Sequence, residues 1–402
     1  MEHFGFPGFV AIYIVAVLLW LKQLRVTVPF GATLAIALAL RVLILAPEPA
    51  LSGDVFRYLS DGRRLASGHN PYTYTPDDSR ISHREIRSIY PPLAQLLFAQ
   101  FEQPHLALYG RPSSGAAMLV WKLILIVADL AVIVLLRKYG AAFAFATCPL
   151  VIFEGAWSGH IDALAAVFLA FALARRSGFF AGLAAGLKII PLAAVPVLFG
   201  KRRPPFSFLF AFFFPFLFFL GAPIMPGFRD YATRWIFNSP LYTLVRAIVE
   251  HIPTKEIWTH HPLRFQMISD FVYQHLYPDF LTRAILGVLA ISGILLARRV
   301  TTAVGVLLLC SPAIHPWYWL TLVPTAFMEH AGAQGSSLPF RRDPAGTHRL
   351  KHSGPPRWKP ALPLFLAFAL CSPISYLLYA GISPVLVAAL CYGIPLVTLW
   401  RD

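Results

Sequence analysis

Long apolar runs separated by shorter polar segments make up most of the chain. Several runs are shorter than the roughly 20 residues that a helix needs to cross a bilayer, and we expect polar neighbours to complete those helices. The pattern predicts an all-α polytopic membrane protein, a single integral membrane domain over 1–402 with about 11–13 transmembrane helices. The apolar runs lie at 4–21, 28–46, 116–136, 141–153, 160–174, 205–222, 282–297, 300–314, 317–330, 361–379 and 383–399.

The apolar stretch 178–199 is interrupted by Lys188 and Pro191. A single broken helix and a hairpin of two half-helices both fit this pattern, and the flanking charges favour the hairpin. Basic residues precede the stretch and follow it, and basic loops stay in the cytoplasm. The hairpin places Lys188 at its outer tip, between half-helices of about 15 Å each.

The uneven distribution of basic residues predicts an orientation. The loops on one side hold 18 of the 34 lysines and arginines and three of the 19 acidic residues, so they carry the whole net charge of +15. We expect that side to be cytoplasmic. The basic, Gly/Pro-rich segment 331–360 is then a cytoplasmic linker, and 47–115 and 223–281 are large external loops.

Composition agrees with a membrane protein. Of the residues, 57% are hydrophobic and 13% are charged, whereas a soluble domain has about a quarter charged residues. The positive charge therefore indicates contact with anionic membrane lipids, not nucleic acid. The four cysteines lie in apolar runs without a CxxC pair, so we expect neither a disulfide nor a zinc site. No nucleotide-binding glycine loop is present, and no cofactor is expected.

The most polar segment of the chain is the first external loop, at 52–95. Asp54 follows the second apolar run by about one turn. A carboxylate there can act as a general base at the membrane surface, or it can cap the helix that follows. That helix, predicted at 55–66, is amphipathic. Its apolar side chains expected to face lipid are Phe56, Leu59 and Leu65.

Two cationic side chains suit a phosphate. Arg57 can grip a phosphate bidentately, or it can belong to a solvated basic face. Lys188 lies in an apolar run, where a lysine usually marks a ligand site, although snorkelling to the interface is the alternative. The amides at the start of the second half-helix, near Ile190, would complete an anion cradle with Lys188.

Further polar residues lie at predicted external helix junctions. Glu154, His160 and Asp162 belong to the sequence FEGAWSGHID, which lacks an HExxH or similar metal spacing. His315 lies between two prolines, where a neutral imidazole can serve as a base or a hydrogen-bond donor. Asn238, in the second external loop, suits recognition of a sugar or a lipid headgroup.

Several of these segments together resemble a known family. GDVFRYLSDGRRLASGHNPYTY followed by IYPPLAQLLF resembles the first external loop of the glycosyltransferase-C superfamily, in particular of bacterial mannosyltransferases that use polyprenyl-phosphate-mannose. It is more distantly similar to the catalytic subunit of GPI mannosyltransferase I. The segments FEGAWSGHIDALA, GLKIIPL, SPAIHPWYWL and FNSPLY match the same pattern.

The resemblance implies a glycosyltransferase-C-like fold and an inverting transfer of a hexose, with mannose expected. The donor would be a polyprenyl-phosphate sugar, the acceptor a lipid or glycan, and the location the outer face of a bacterial inner membrane. The resemblance makes Asp54 important for catalysis or acceptor binding and His315 a rival base. The substrate-binding residues expected from the matching segments are Arg57, Asn70, Tyr72, Tyr90, Glu154, His160, Asp162, Lys188 and Asn238. A single Asp replaces a paired acidic motif here, so no metal is expected.

Two other classes fit parts of the pattern. A secondary transporter of a polar solute would use broken helices and an intramembrane lysine such as Lys188. The long external loops and the lack of an internal repeat count against it. A non-catalytic assembly partner of another membrane enzyme is the third reading.

Overall fold

The structure is a computed structural model that describes residues 5–24, 26–109, 114–200, 202–221, 223–251, 278–333 and 364–396. The α-helices are α1 Gly5–Gln23, α2 Phe30–Leu43, α3 Asp54–Ala66, α4 Pro92–Tyr109, α5 Ser114–Leu136, α6 Ala142–Ala146, α7 Asp162–Arg175, α8 Gly178–Leu187, α9 Val195–Phe199, α10 Phe206–Phe213, α11 Pro226–Arg234, α12 Pro240–Glu250, α13 Asp279–Leu296, α14 Val300–Cys310, α15 Val323–Ala333, α16 Leu364–Cys371 and α17 Pro384–Ala388.

Shorter helical segments of other types lie between the α-helices. The 3₁₀ helices are Pro71–Thr73, Arg137–Tyr139, Ile190–Ala194, Phe214–Phe219, Pro316–Leu322 and Ser372–Ala380, and the π-helices are Val151–Trp157 and Ala389–Gly393. No β-strand occurs in the described ranges, where the β contact is an isolated bridge between Phe237 and Ala313. The predicted all-α class is confirmed.

Among the residues that the structure describes, three helices are long and apolar enough to cross a membrane, Gly5–Gln23, Gly115–Tyr139 and Asp279–Leu296. A fourth candidate span is the pair Val151–Trp157 and Asp162–Arg175, which is bent by 112° at its break. Other apolar helices have 10–17 residues. These helices agree with a membrane protein, and the larger predicted number of spans stays a prediction.

The predicted external loop 47–115 is more helical than the sequence pattern indicates. It contains α3 and also α4, an 18-residue helix that the pattern does not predict. Gln95 and Gln100 interrupt the apolar run there, which hides its helical period. In the second predicted loop, 223–281, helices α11 and α12 are described, whereas 252–277 lie outside the described residues. Most of the predicted linker 331–360, from 334 onward, also lies outside them.

The helix α3 does not lie on lipid as predicted. Its side chains Phe56 and Leu59 are buried: the Arg80 guanidinium lies over the Phe56 ring, and α4 packs against α3, where Tyr58 stacks on Phe98. The two helices approach closely at Gly62, where a Cβ would collide with the carbonyl oxygen of Phe98. The segment predicted as the first external loop is therefore a packed helical layer that fixes the position of Asp54.

Buried polar contacts hold the break in the bent pair in place. Gly159, with φ of 73°, lies between the π-helix and α7, a conformation that favours glycine. Its carbonyl oxygen accepts a 2.7 Å hydrogen bond from Trp121 Nε1 on α5. On the same helix, Asp129 forms a buried 3.3 Å ion pair with Arg41 of α2. These contacts place His160 and Asp162 in the interior.

Candidate functional site

A partly open cavity of about 620 Å³ lies beside the N-terminus of α3. We call it the chamber. Its wall combines polar groups of the segment 48–90 with aromatic side chains from other parts of the chain. Of the predicted site residues, the chamber contacts Asp54, Arg57, Tyr90 and His315. The chamber wall also includes Arg80, Trp235, Trp317, Tyr318 and Tyr379.

Asp54 is the first residue of α3, and its carboxylate faces the chamber wall. Oδ2 accepts a 3.1 Å hydrogen bond from the Tyr90 hydroxyl and lies 3.8 Å from His160 Nδ1. The helix has no side-chain cap, and Gly53 precedes it. A Cβ at Gly53 would collide with the carbonyl oxygen of Arg80. The carboxylate therefore contacts side chains of other elements, which the capping alternative does not explain.

Arg57 is buried and bonds to the backbone of the same loop. Its guanidinium donates to the carbonyl oxygens of Ile86 at 2.9 Å, His83 at 2.8 Å and Ser82 at 3.1 Å. Three carbonyls thus share one cation, which fixes the loop that forms the chamber floor. In this arrangement Arg57 orders the site, and the predicted phosphate contact stays a prediction.

Asn70 and Tyr72 lie outside the chamber and support Tyr90. The Asn70 side chain accepts a 2.8 Å hydrogen bond from the Tyr72 amide and so caps the short 3₁₀ helix. The buried Tyr72 hydroxyl donates to the Tyr90 carbonyl oxygen at 2.7 Å. Both predicted site residues therefore position Tyr90, which in turn contacts Asp54.

Asp61 of α3 is a buried carboxylate that the sequence analysis does not identify. Asp61 accepts hydrogen bonds from Gln95 at 3.1 Å and from the Tyr74 hydroxyl at 3.3 Å. Burial raises the pKa of Asp61, while hydrogen bonds to Ser88, Gln95 and Tyr74 and the charge of Arg57 oppose the rise. Asp61 lies seven residues after Asp54, and this spacing places both on one face of the helix. The spacing could therefore have identified Asp61 from the sequence.

Lys188 follows the last residue of α8, so the predicted break in 178–199 is confirmed. Its Nζ forms a 3.0 Å ion pair with the fully buried Asp162. The same ammonium lies over the rings of Tyr90, at 5.2 Å, and Tyr318, at 4.9 Å. The expected second half-helix begins at Ile190 as a five-residue 3₁₀ helix with a proline, and the anion cradle predicted there stays a prediction.

A second cavity of about 180 Å³ lies beside Lys188. We call it the groove. It shares Tyr90 and Tyr318 with the chamber, and the rest of its wall is almost entirely apolar. Its apolar residues include Ile189, Ile190, Phe228, Leu307 and Leu308. The groove thus brings hydrocarbon surface to the ammonium of Lys188.

His160 and Glu154 lie behind Asp54 and do not contact either cavity. Both are fully buried, and His160 Nε2 lies 3.4 Å from Glu154 Oε2. The Tyr376 hydroxyl donates to the Glu154 carboxylate at 2.9 Å. The sequence has Glu154, His160 and Asp162 in one segment, and the structure places all three around the inner end of the site.

His315 belongs to a column of parallel rings along the chamber wall. Its ring stacks on Phe237 at 4.6 Å and on Trp317 at 4.5 Å, and Trp317 stacks on His160 at 4.1 Å. Tyr379 continues the column beyond Phe237 at 5.3 Å. Burial lowers the pKa of His315, in the connection after α14, to about 3, so its imidazole is neutral at physiological pH.

Asn238 lies outside both cavities. It has φ of 48° and follows Phe237, whose bridge to Ala313 joins the segment before α12 to the connection that carries His315. The Asn238 carbonyl oxygen accepts a 2.8 Å hydrogen bond from Tyr392. This contact uses the backbone and does not depend on the side chain, so the predicted role of Asn238 in substrate binding stays a prediction.

Within the described ranges, no group of three or more His, Cys, Asp or Glu residues could hold a metal ion. The polar groups at the site include a carboxylate that faces the chamber, a lysine paired with a second carboxylate, and two imidazoles that stack on Trp317. No known protein family, curated protein or solved structure matches the chain. The site therefore has to be interpreted from its own chemistry.

Proposed function

We propose that the protein is a membrane glycosyltransferase that moves a hexose, with mannose the expected sugar, from a polyprenyl-phosphate sugar to a lipid or glycan acceptor. The observation that carries the proposal is the meeting of two unlike cavities at Tyr90 and Tyr318. One is a polar and aromatic chamber with a carboxylate, and the other is an apolar groove with a lysine. A lipid-phosphate sugar has matching parts in the same order: an apolar chain, an anionic phosphate and a polar sugar.

The groove suits the lipid and phosphate parts of such a donor. Its apolar wall is complementary to a prenyl chain, and burial of each CH₂ group contributes about 0.8 kcal/mol. Lys188 offers three N–H donors, so it can bind a phosphate oxygen while it keeps Asp162. A unit charge at about 4 Å from the ammonium is stabilised by about 4 kcal/mol at an effective dielectric constant near 20.

The chamber suits the sugar and the acceptor. The stacked rings, together with Trp235 and Tyr379, provide apolar aromatic surface. The Asp54 carboxylate can accept a proton. In the proposed step, the acceptor oxygen attacks the anomeric carbon and its proton passes to Asp54. The bond from the anomeric carbon to the phosphate oxygen breaks, and the leaving phosphate gains the negative charge next to Lys188.

Asp54 is the better base of the two predicted candidates. Asp54 opens on the chamber with 24% of its side chain exposed, whereas His315 is 6% exposed, and a base has to come within hydrogen-bond reach of the proton that it takes. Both ring nitrogens of His315 are buried and have no hydrogen-bond partner among the described residues, so a sugar hydroxyl would bind them only after the chamber wall shifts. The displacement by one attacking oxygen inverts the anomeric configuration.

The wider architecture belongs to the same proposal. A glycosyltransferase-C-like arrangement of about 11–13 transmembrane helices would include the shorter apolar helices as partial or tilted spans. The positive loops would be cytoplasmic and the chamber external, in a bacterial inner membrane. Lipid donors of this kind present their sugar at the membrane surface, so the proposal requires the chamber to open at that surface.

A transfer assay tests the proposal. Purified protein in lipid is incubated with labelled polyprenyl-phosphate-mannose, or with labelled nucleotide sugars, together with a membrane lipid extract. We expect label in a new lipid or glycan product from the lipid donor alone. Transfer from a nucleotide sugar, or no transfer from several polyprenyl-phosphate hexoses with several extracts, would overturn it.

One observation favours a secondary transporter as the second candidate. The bent pair Val151–Trp157 and Asp162–Arg175 has ionisable residues at its break, as transporters of polar solutes often do. Solute uptake into protein-containing liposomes separates the two. Uptake that depends on Lys188, without any covalent transfer, would favour transport.

A further inference from the structure

Three fully buried side chains lie in line behind the proposed base. From the chamber inward, the order is Asp54, His160, Glu154 and Tyr376, with side-chain separations of 3.8 Å, 3.4 Å and 2.9 Å. Of the four, Asp54 contacts the chamber, with 24% of its side chain exposed. A substrate in the chamber would therefore meet Asp54 and would not meet Glu154 or His160.

The imidazole of His160 has no other hydrogen-bond partner. Neither ring nitrogen forms a hydrogen bond with any described residue, and Trp317 covers one face of the ring. A neutral imidazole always carries one N–H, and buried donors are normally satisfied. The ring proton must therefore face Asp54 through Nδ1 or Glu154 through Nε2.

The surroundings decide between these two placements. Glu154 is fully buried, and no lysine or arginine in the described ranges pairs with it, so a proton on this carboxyl relieves the cost of a buried charge. Asp54, by contrast, has 24% of its side chain exposed at the chamber. Other titratable groups facing this region are Asp162, Lys188 and His315. If the Glu154 carboxyl is protonated and donates to His160 Nε2, the imidazole proton lies on Nδ1. The Nδ1–H group then points to Asp54.

We propose that Glu154 and His160 are positioning residues that fix Asp54 for proton transfer. Glu154 supplies the proton that satisfies Nε2, which fixes the His160 tautomer, and Nδ1–H then donates to Asp54 Oδ2. The 3.8 Å separation closes to hydrogen-bond length by about 1 Å, as contacts in substrate-free sites often do on binding. The inference deepens the proposed function and rests on it only for the role of Asp54.

The proton balance of the step is unchanged by this pair. The acceptor hydroxyl gives its proton to Asp54, the new bond forms at the anomeric carbon, and the phosphate leaves with the electron pair. His160 keeps both of its nitrogens satisfied throughout. Its effect is on where the Asp54 carboxylate lies and on how well the ionised form is stabilised.

His160→Phe is the decisive variant, because phenylalanine keeps a flat ring against Trp317 and removes both nitrogens. We expect kcat to fall by about tenfold to 100-fold, the scale of a 1 Å misplacement, with little change in the donor KM. The acidic limb of the pH–rate profile should move to higher pH, since Asp54 loses a donor to its ionised form. His160→Asn, whose amide replaces Nδ1–H, should recover part of the rate.

Glu154 is tested in the same way. Glu154→Gln still offers an N–H to Nε2 and should stay within about fivefold of the parent, whereas Glu154→Met should resemble His160→Phe. Tyr13→Phe is the matched control, because its buried hydroxyl has no hydrogen-bond partner among the described residues and its ring lies near Phe153. A folded His160→Phe protein with the parent's kcat and pH profile would overturn the proposal.

A measurement without turnover separates this inference from the proposed function. Solid-state NMR of ¹⁵N-histidine protein reports the tautomer of His160, whose signals are those missing in His160→Asn. We expect a neutral ring with Nδ1–H in the parent and a mixture of tautomers in Glu154→Met. An Nε2–H ring in the parent would contradict the pair, whatever the transfer assay shows. If the parent transfers no sugar but has Nδ1–H, the proposed function fails and the hydrogen-bond arrangement stands.

Discussion

The ion pair between Lys188 and Asp162 allows the structural and functional roles of the lysine to be separated. Lys188→Met removes the cation that pairs with Oδ2 of the fully buried Asp162, whose Oδ1 already has no partner among the described residues. Removal of one partner from a buried pair costs about 3–5 kcal/mol. At roughly 2 °C per kcal/mol for a large domain, the melting temperature should fall by about 5–10 °C.

The double variant Lys188→Met/Asp162→Asn replaces the pair by neutral groups of similar size. It should regain most of the lost stability, because no buried charge is left without a partner. It should not regain transfer, because the cation next to the leaving phosphate is still absent. Lys188→Arg should regain transfer in part, since its planar guanidinium presents a different geometry to phosphate.

Thermal unfolding in lipid nanodiscs and binding of polyprenyl-phosphate-mannose are measured for the parent and these three variants. Donor affinity should fall in both variants that contain the Lys188→Met substitution, including the double variant with restored stability. If the double variant binds the donor and transfers sugar like the parent, the lysine is structural and the argument for a phosphate site is refuted. If Lys188→Met is as stable as the parent, the snorkelling alternative explains this residue better.

Three further outcomes follow from the site. Asp54→Asn should lower kcat by about 100-fold or more at unchanged melting temperature, because general-base catalysis contributes roughly 10²–10⁴; a near-normal rate would shift the role to His315. His315→Phe keeps the stacked column and should cost less, about tenfold, mainly in substrate KM; a loss as large as that of Asp54→Asn would refute its assignment as a sugar contact. On a cysteine-free background, Ala345→Cys should resist an impermeant thiol reagent in intact cells while Asp77→Cys reacts, and the reverse would invert the orientation.

The sequence predicts those parts of the site that depend on local pattern. Gly53 before Asp54 indicates a turn into a helix, and Lys188 before Pro191 indicates a helix break, and both occur in the structure. The all-α class follows from the apolar runs. These features depend on residues within a few positions of one another, so periodicity and turn chemistry are sufficient to find them.

Contacts between distant segments are beyond such reasoning. Tyr376 meets Glu154 across 222 positions, and nothing local to either residue indicates the other. The sequence presents Lys188 as a cation without a partner, because Asp162 lies 26 positions away. The pattern of α3 predicts contact with lipid because a packed helical layer and a membrane select the same amphipathic pattern, and only the position of α4 distinguishes them.

The central claim is that the chamber and the groove together form one site for a lipid-phosphate sugar. A structure determined with a non-transferable polyprenyl-phosphate-mannose analogue tests it most directly. The account predicts the prenyl chain in the groove, a phosphate oxygen within hydrogen-bond reach of Lys188 Nζ, and the sugar in the chamber with its anomeric carbon on the side of Asp54. An analogue bound elsewhere, with the groove and chamber empty, would contradict it.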